Sequence, residues 1–554
     1  MKKYFVFGLF AIALLTMPVF ASDKTQSSQA DQIVDRITAK EAANVKSFKR
    51  YAPLVETYMQ SYGASGNLRG VPSGDHYFLG RASFNGPIQD ANLLASQGES
   101  VTGMLLRNFT EFAVRHRKNL VPLGFAQMAI MDADGFDREH YTFSFQRREF
   151  LGEVRCMVFD VIPKAKSGRG RFIGRMWVED VNYNVVRFNG TFVRPKEHQA
   201  YMHFDSWRIN TADDRWVPAY IYGEEPALNV GGKNVGFRAQ TRLWNYGASD
   251  QRDSEFTDIT VDSEDNVKDA SAHAGFSPLD SARMFEREAE NNVVDRLEHS
   301  GVLAPPSDID KVLETVVNNL VVTNDLSIVP AIRCRVLLTA PIESFTIGHT
   351  IVLSRGLLDV LPDEASLAAA LARELSHIVL SHGVDTKFAF GDRLLFSDDE
   401  VLQRLSMLRT PEEEGEADKE SMILLAKSPY ADKLAGTGLF FQQLAQIRSV
   451  LPNLVRGRMG DSLIDGKISP LAAIVSKSPK LDNANISQVS ALPLGARVVV
   501  DPWSNHVNLS KATGTQILSA REKMPFQITP FYLYLTRSAA VLPVELKASE
   551  TGSR

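Results

Sequence analysis

The chain has 554 residues, 44% hydrophobic and 23% charged, with Lys+Arg 61, Asp+Glu 66 and a net charge of -5. These values exclude a mostly disordered chain and a polytopic membrane protein, and no basic excess points to nucleic acid. Cysteine appears at positions 156 and 334 alone, too few for a disulfide scaffold or a four-cysteine zinc site, and at about 100–200 residues per domain the length predicts about three domains or two large ones.

Residues 1–21 read as a secretory signal peptide. Met1-Lys2-Lys3 is a positive start, Tyr4 to Phe20 is mostly apolar, and Val19-Phe20-Ala21 supplies a cleavage site. An uncleaved membrane anchor is the alternative. No later apolar run is long enough to span a bilayer, so the mature protein is predicted to be exported, periplasmic or extracellular, without a transmembrane span. Export permits disulfides. Cys156 and Cys334 lie far apart in different predicted strands, and two buried free thiols are the preferred reading over a bridge.

Residues 22–74 form a polar N-terminal segment of helical pattern, with Ile33, Val34 and Ile37, then Val55, Tyr58 and Met59 at helical spacing. From 75 to 247 the pattern is that of an antiparallel β-rich domain. The first clear strand is placed after Gly152, because glycine is a poor strand residue. Glu153-Val-Arg-Cys-Met-Val-Phe-Asp-Val161, Arg171-Phe-Ile-Gly-Arg-Met-Trp-Val-Glu179 and Val185-Val-Arg-Phe-Asn-Gly-Thr-Phe-Val193 alternate, with turn residues between them. Further strands are expected at His203 to Arg208, Trp216 to Tyr222 and Gly236 to Tyr246. The hairpins across Gly174 to Gly190 resemble the curved sheet of the LolA-like lipoprotein carriers. That resemblance implies a concave face able to hold an acyl chain or a peptide; a plain interaction sheet is the other reading.

Residues 248–308 read as a polar linker carrying a helix from Pro278 to Glu298. Apolar helical periodicity returns at 309 and continues to 475. Arg333 to Leu338 and Thr350 to Ser354 are short strands. Pro362-Asp363-Glu364 opens a helix running to about His382, where Gly383 is placed to cap it.

That helix carries Arg373-Glu374-Leu375-Ser376-His377. A zinc peptidase helix carries His-Glu-x-x-His, in which residues four apart lie about 40° apart around the helix and share one metal. Here Glu374 and His377 hold the second and fifth places and Arg373 the first. Downstream, Glu414 and Asp418 are also four apart, within Glu412-Glu-Glu-Gly-Glu-Ala-Asp418. Together with Gly356-Leu-Leu-Asp-Val-Leu361 and Leu367 to Gly383, these residues resemble the HtpX/CAAX-prenyl-protease family of zinc metallopeptidases (metallopeptidase family 48), in its soluble exported branch. The resemblance spans about 310–450.

The resemblance implies roles residue by residue. Glu374 would be the general base, His377 and Glu414 zinc ligands, and Asp418 the acid supporting the first ligand. Arg373 stands in the first-ligand position, and a guanidinium has no lone pair to give. Glu343-Ser344-Phe345 and Gly348-His349 also depart from the family's substrate-side pattern. An ion pair of Arg373 with Asp418 or Glu414 is therefore expected, replacing the metal as the link between two helices. His382, five after His377, should point about 140° away, and His349, on the edge-strand segment, is the candidate to approach from the substrate side.

Residues 476–554 are expected to hold short strands: Gly495 to Asp501 and His506 to Leu509 as a hairpin, and Phe531 to Thr536 as one more. The fold class predicted is α+β, a mainly α-helical zinc-peptidase-like domain behind an antiparallel β-rich domain. The function implied is a zinc-dependent endopeptidase impaired or inactivated by Arg373. The alternative is a catalytically inactive pseudopeptidase that binds a peptide, a protein client or an envelope lipoprotein or lipid. Zinc is the cofactor the resemblance implies.

Overall fold

A computed structural model describes residues 23–62, 72–84, 89–92, 125–168, 170–193, 203–230, 233–247, 278–387, 389–391, 397–402, 404–464, 472–480, 497–510 and 526–538. The expected signal peptide and residues 248–277 of the expected linker lie outside them. The protein is α+β, with a large antiparallel sheet in the N-terminal part and helices gathered in the C-terminal part.

Helix α1 spans Asp23–Phe48 and buries Val34, Ile37, Val45 and Phe48. It stops before Pro53, and Leu54–Tyr62 is strand β1 rather than more helix. Proline biases its neighbour toward extended backbone. The Val55, Tyr58 and Met59 spacing mimicked a helical period, while the aromatic and β-branched content of the segment suits a strand. The sheet thus begins inside the span expected to be helical.

The strands are β1, β2 (Gly74–Ser83), β3 (Gln89–Asn92), β4 (Tyr141–Leu151), β5 (Val154–Pro163), β6 (Phe172–Glu179), β7 (Val185–Phe192), β8 (His203–Ala212), β9 (Arg215–Val230) and β10 (Lys233–Trp244). Their order is β3-β2-β1-β10-β9-β8-β7-β6-β5-β4. Gly152 does not precede the first strand. It sits in the two-residue turn between β4 and β5 at φ +69, a conformation glycine adopts without strain.

One face of this sheet packs on α1 and residues 125–136 around Phe172, Phe188 and Phe204. The other face, around Trp177, Trp207 and Trp216, is crossed by residues 526–538. Phe531 to Thr536 is not a strand. It runs over the sheet as an extended strap, with the Phe531 ring 5.2 Å from that of Tyr220 and the Leu535 carbonyl accepting from Glu153 N–H at 2.9 Å. Pro530 before it removes a ladder donor.

The C-terminal part holds α2 (Pro278–His299), α3 (Asp308–Thr323), α4 (Arg355–Val360), α5 (Glu364–Val379), α6 (Asp398–Leu402), α7 (Pro411–Ala426), α8 (Leu434–Arg448) and α9 (Pro452–Val455). They surround a small sheet of β11 (Arg333–Leu337), β12 (Glu343–Ile347), β13 (Thr350–Ser354) and β14 (Asp461–Ser462), in the order β11-β13-β12-β14. β11 and β13 are parallel, and β12 is antiparallel to both its neighbours. The hairpin expected after residue 495 is present as β15 (Val498–Val500) and β16 (Val507–Leu509).

The two parts share a core. Leu54, Tyr58, Tyr77, Leu79 and Trp244 of the large sheet pack with Leu313, Ile342 and Leu357 of the helical part. The Asp75 carboxylate accepts from the backbone N–H groups of Asn453 and Leu454 at 3.0 and 2.8 Å, and buried Glu56 pairs with buried Arg355 at 2.8 Å. Helix α2, expected within a linker, buries Val293 and Leu297 in this core. Cys156 and Cys334 are both buried and free, on different sheets, and burial pushes the Cys156 thiol up to about 12. Among the described residues no helix is long and apolar enough to cross a membrane.

Candidate functional site

Helix α5 starts on a cap in which the Asp363 carboxylate accepts from Ser366 N–H, and its alanine-rich body is buried almost throughout. Helix α7 starts on Thr410 and Glu413, which cap each other's backbone, with Pro411 as its first residue. The two helices pack side by side. This brings the Arg373–His377 face of one onto the Glu414–Asp418 face of the other.

Arg373 is fully buried, and its guanidinium contacts the Glu414 carboxylate directly. It also lies 3.7 Å from Asp418 and 3.3 Å from Glu374. The expected ion pair is present with both acids. A buried guanidinium needs such partners, because an unpaired charge at this depth costs several kcal/mol.

Both carboxylate oxygens of Glu374 are engaged by protein donors. Its Oε1 accepts from the Ser344 hydroxyl at 2.6 Å and its Oε2 from the Thr346 hydroxyl at 2.7 Å. Both hydroxyls lie on strand β12, two residues apart and so on one face.

His377 is buried, and burial holds its imidazole down to about 4, against the pull of Glu374. It is neutral at physiological pH. Its Nε2 faces Glu414 Oε1 at 3.7 Å, and its Nδ1 lies 2.9 Å from Nδ1 of His382. The expectation that His382 points away is overturned. Helix α5 ends at Val379, not at His382, and Ser381 turns left-handed at φ +59. His382 N–H then bonds back to the His377 carbonyl at 2.9 Å, which folds the second ring onto the first. Gly383 is not needed for the cap. His349 stays outside the site, with its Nδ1 3.0 Å from the Pro330 carbonyl.

Asp461 joins the site without having been expected there. It is buried on β14, opposite Ser344 on β12, and antiparallel partners share a face, so it points the same way as Ser344. Burial pushes its carboxyl up to about 6; Arg373 opposes that shift and Glu374 adds to it. Ligand atoms of His377, Glu414 and Asp461 lie within 4.8 Å of one another. Arg409 closes this side, its backbone N–H on Asp461 and its side chain on the Thr346 carbonyl at 3.0 Å.

The segment before Asp461 covers the outer edge of β12. Glu343 Oε2 accepts from the backbone N–H groups of Arg458, Met459 and Gly460 at 2.7, 2.9 and 3.1 Å. A Cβ at Gly460 would lie 2.4 Å from the Phe345 ring, so only glycine allows this approach. At Glu343 and Ser344 the outer edge of β12 is paired by the chain's own β14.

The ligand set that the sequence resemblance implies does not fit zinc. Catalytic zinc takes three protein ligands. Position 373 offers no lone pair, and its guanidinium already holds one oxygen of Glu414. Of the residues that complete the site, Ser344 and Thr346 had a sequence signal, as alternate polar positions in an apolar strand. Asp461 and the back-folded His382 had none.

Among family models and curated proteins, none matches the chain. Among solved structures, a LolA superfamily protein from Nitrosomonas europaea is 12% identical, covers 38% of this chain and 93% of its own, and gives a TM-score of 0.19. A putative outer membrane lipoprotein-sorting protein domain from Vibrio parahaemolyticus is 12% identical, covers 37% and 90%, and gives a TM-score of 0.20. At those scores neither likeness bears on what this chain does.

Proposed function

We propose that this chain is an exported, non-catalytic binding protein on a peptidase-like frame, acting on a peptide or lipoprotein client rather than cleaving one. The observation that carries this reading is the joint engagement of Arg373 and Glu374. One fills the first-ligand place with a cation, and both carboxylate oxygens of the other are held by Ser344, Thr346 and Arg373. Peptide hydrolysis by activated water needs both a polarising metal and a free base.

The covered β12 edge moves the client surface away from the helical part. The large sheet offers an alternative at β4, which has a strand partner on one side only among the described residues. Phe145 and Phe150 on β4 are 54% and 67% exposed, and Ile162 on the opposite face of β5 is 49% exposed. Exposed apolar side chains on an edge strand are unusual in a protein without a partner.

The test pairs two assays on the mature protein. One follows cleavage of an unfolded reporter protein with added zinc, and the other binding of a fluorescent acylated peptide by anisotropy. Binding without cleavage supports the reading. Cleavage that disappears in Glu374→Gln overturns it.

A further inference from the structure

Nε2 of His377, Oε1 of Glu414 and Oδ2 of Asp461 are buried without hydrogen-bond partners among the described residues, and one ligand atom of each of these side chains lies within 4.8 Å of the others. His377 is 1% exposed and Asp461 6%. Buried polar atoms are rarely left unmatched, so a group belongs between them.

We propose that this chain holds a structural divalent cation in a displaced site formed by His377 Nε2, Glu414 Oε1 and Asp461 Oδ2. Arg373 blocks the first-ligand place but leaves Glu414 an oxygen free, so the carboxylate bridges guanidinium and cation. One imidazole and two carboxylates suit zinc or a neighbouring divalent transition ion. His382 completes the design. Its Nδ1 accepts from the His377 Nδ1–H, which leaves His377 Nε2 as the lone-pair donor, and its own Nε2 faces Glu416 at 3.4 Å.

The cation joins α5, α7 and β14. It therefore locks the 458–462 cover onto the β12 edge, and its loss frees that edge. This goes beyond the non-catalytic reading and does not require it, since the base Glu374 is not a ligand.

The experiment strips the mature protein with a chelator, adds zinc, and measures bound metal after dialysis for the native chain, Asp461→Asn and His377→Gln. Hydrogen exchange of residues 458–462 is followed in parallel. The proposal expects about one zinc per native chain, at least a tenfold weaker affinity in each variant, and faster exchange of the cover when metal is removed. Circular dichroism shows whether the variants fold, and His377→Asn is a second ligand variant should His377→Gln not. A native chain that takes up no zinc overturns the proposal. So does zinc uptake equal in native protein and Asp461→Asn, which would be surface binding or a site without Asp461. Neither result disturbs the non-catalytic reading, which falls only to cleavage dependent on Glu374.

Discussion

The Arg373 guanidinium lies against the Glu414 carboxylate, so helix α5 is fastened to helix α7 by an ion pair at the place where the sequence resemblance expects metal. Asp418 and Glu374 stand on two further sides of the same cation. Arg373→Met removes the charge and leaves these acids facing one another in a buried site. The expected loss is about 3–5 kcal/mol of unfolding free energy, read as a lower denaturant midpoint. Arg373→Met combined with Glu414→Leu should recover a large part of it, since an apolar pair of similar volume replaces a buried ion pair well.

The hydroxyls of Ser344 and Thr346 each donate to the Glu374 carboxylate. Ser344→Ala with Thr346→Val leaves the buried Glu374 carboxylate facing Arg373 without its two hydroxyl donors. A cost of about 1–3 kcal/mol per lost hydrogen bond is expected. Thermal unfolding of the single and double variants checks it, and the two losses should not be additive, because both hydroxyls serve one carboxylate.

Helix α1 is tied to the large sheet by Glu41 and Arg208. Both side chains are fully buried, and Arg208 stacks beneath Phe48. Glu41→Ala strands a buried guanidinium and should cost about 3–5 kcal/mol. Limited proteolysis should then cut within residues 23–48 before it cuts elsewhere.

Asp310 gives the pH dependence a sign. It caps helix α3 by accepting from Ser307 N–H at 2.7 Å, yet burial pushes its carboxyl up to about 6 against the pull of that bond and of Arg335. A folded-state value above the unfolded one favours the protonated native form. Its contribution to stability is complete below about pH 4 and is lost as pH rises through about 6. The native chain minus Asp310→Asn should show this slope, on the order of 2 kcal/mol across that window. A difference that is flat with pH contradicts the assignment.

Much of the site was legible because it rides on helices. Four-residue spacing alone put Arg373 beside His377 and Glu414 beside Asp418, and capping residues at Asp363 and Thr410 marked where both helices begin. The meander from β5 to β10 was equally readable from alternation. What escaped was set by tertiary contacts. Asp461 reaches the site through a two-residue strand, too short for any periodicity to mark. His382 reaches it through a left-handed Ser381 that no local pattern required. β1 was hidden because three apolar residues at helical spacing outweighed the proline before them. The strap after residue 526 has strand composition, but its backbone spends its hydrogen bonds on the sheet face rather than in a ladder.

The central claim is that Arg373 and the engaged Glu374 leave no peptidase chemistry. The most direct measurement is cleavage of an unfolded reporter by the native mature protein, Glu374→Gln and Arg373→His, each with saturating zinc. The account predicts no cleavage by the native chain and none by Glu374→Gln, with any gain confined to Arg373→His. Native cleavage that is abolished by Glu374→Gln would contradict it.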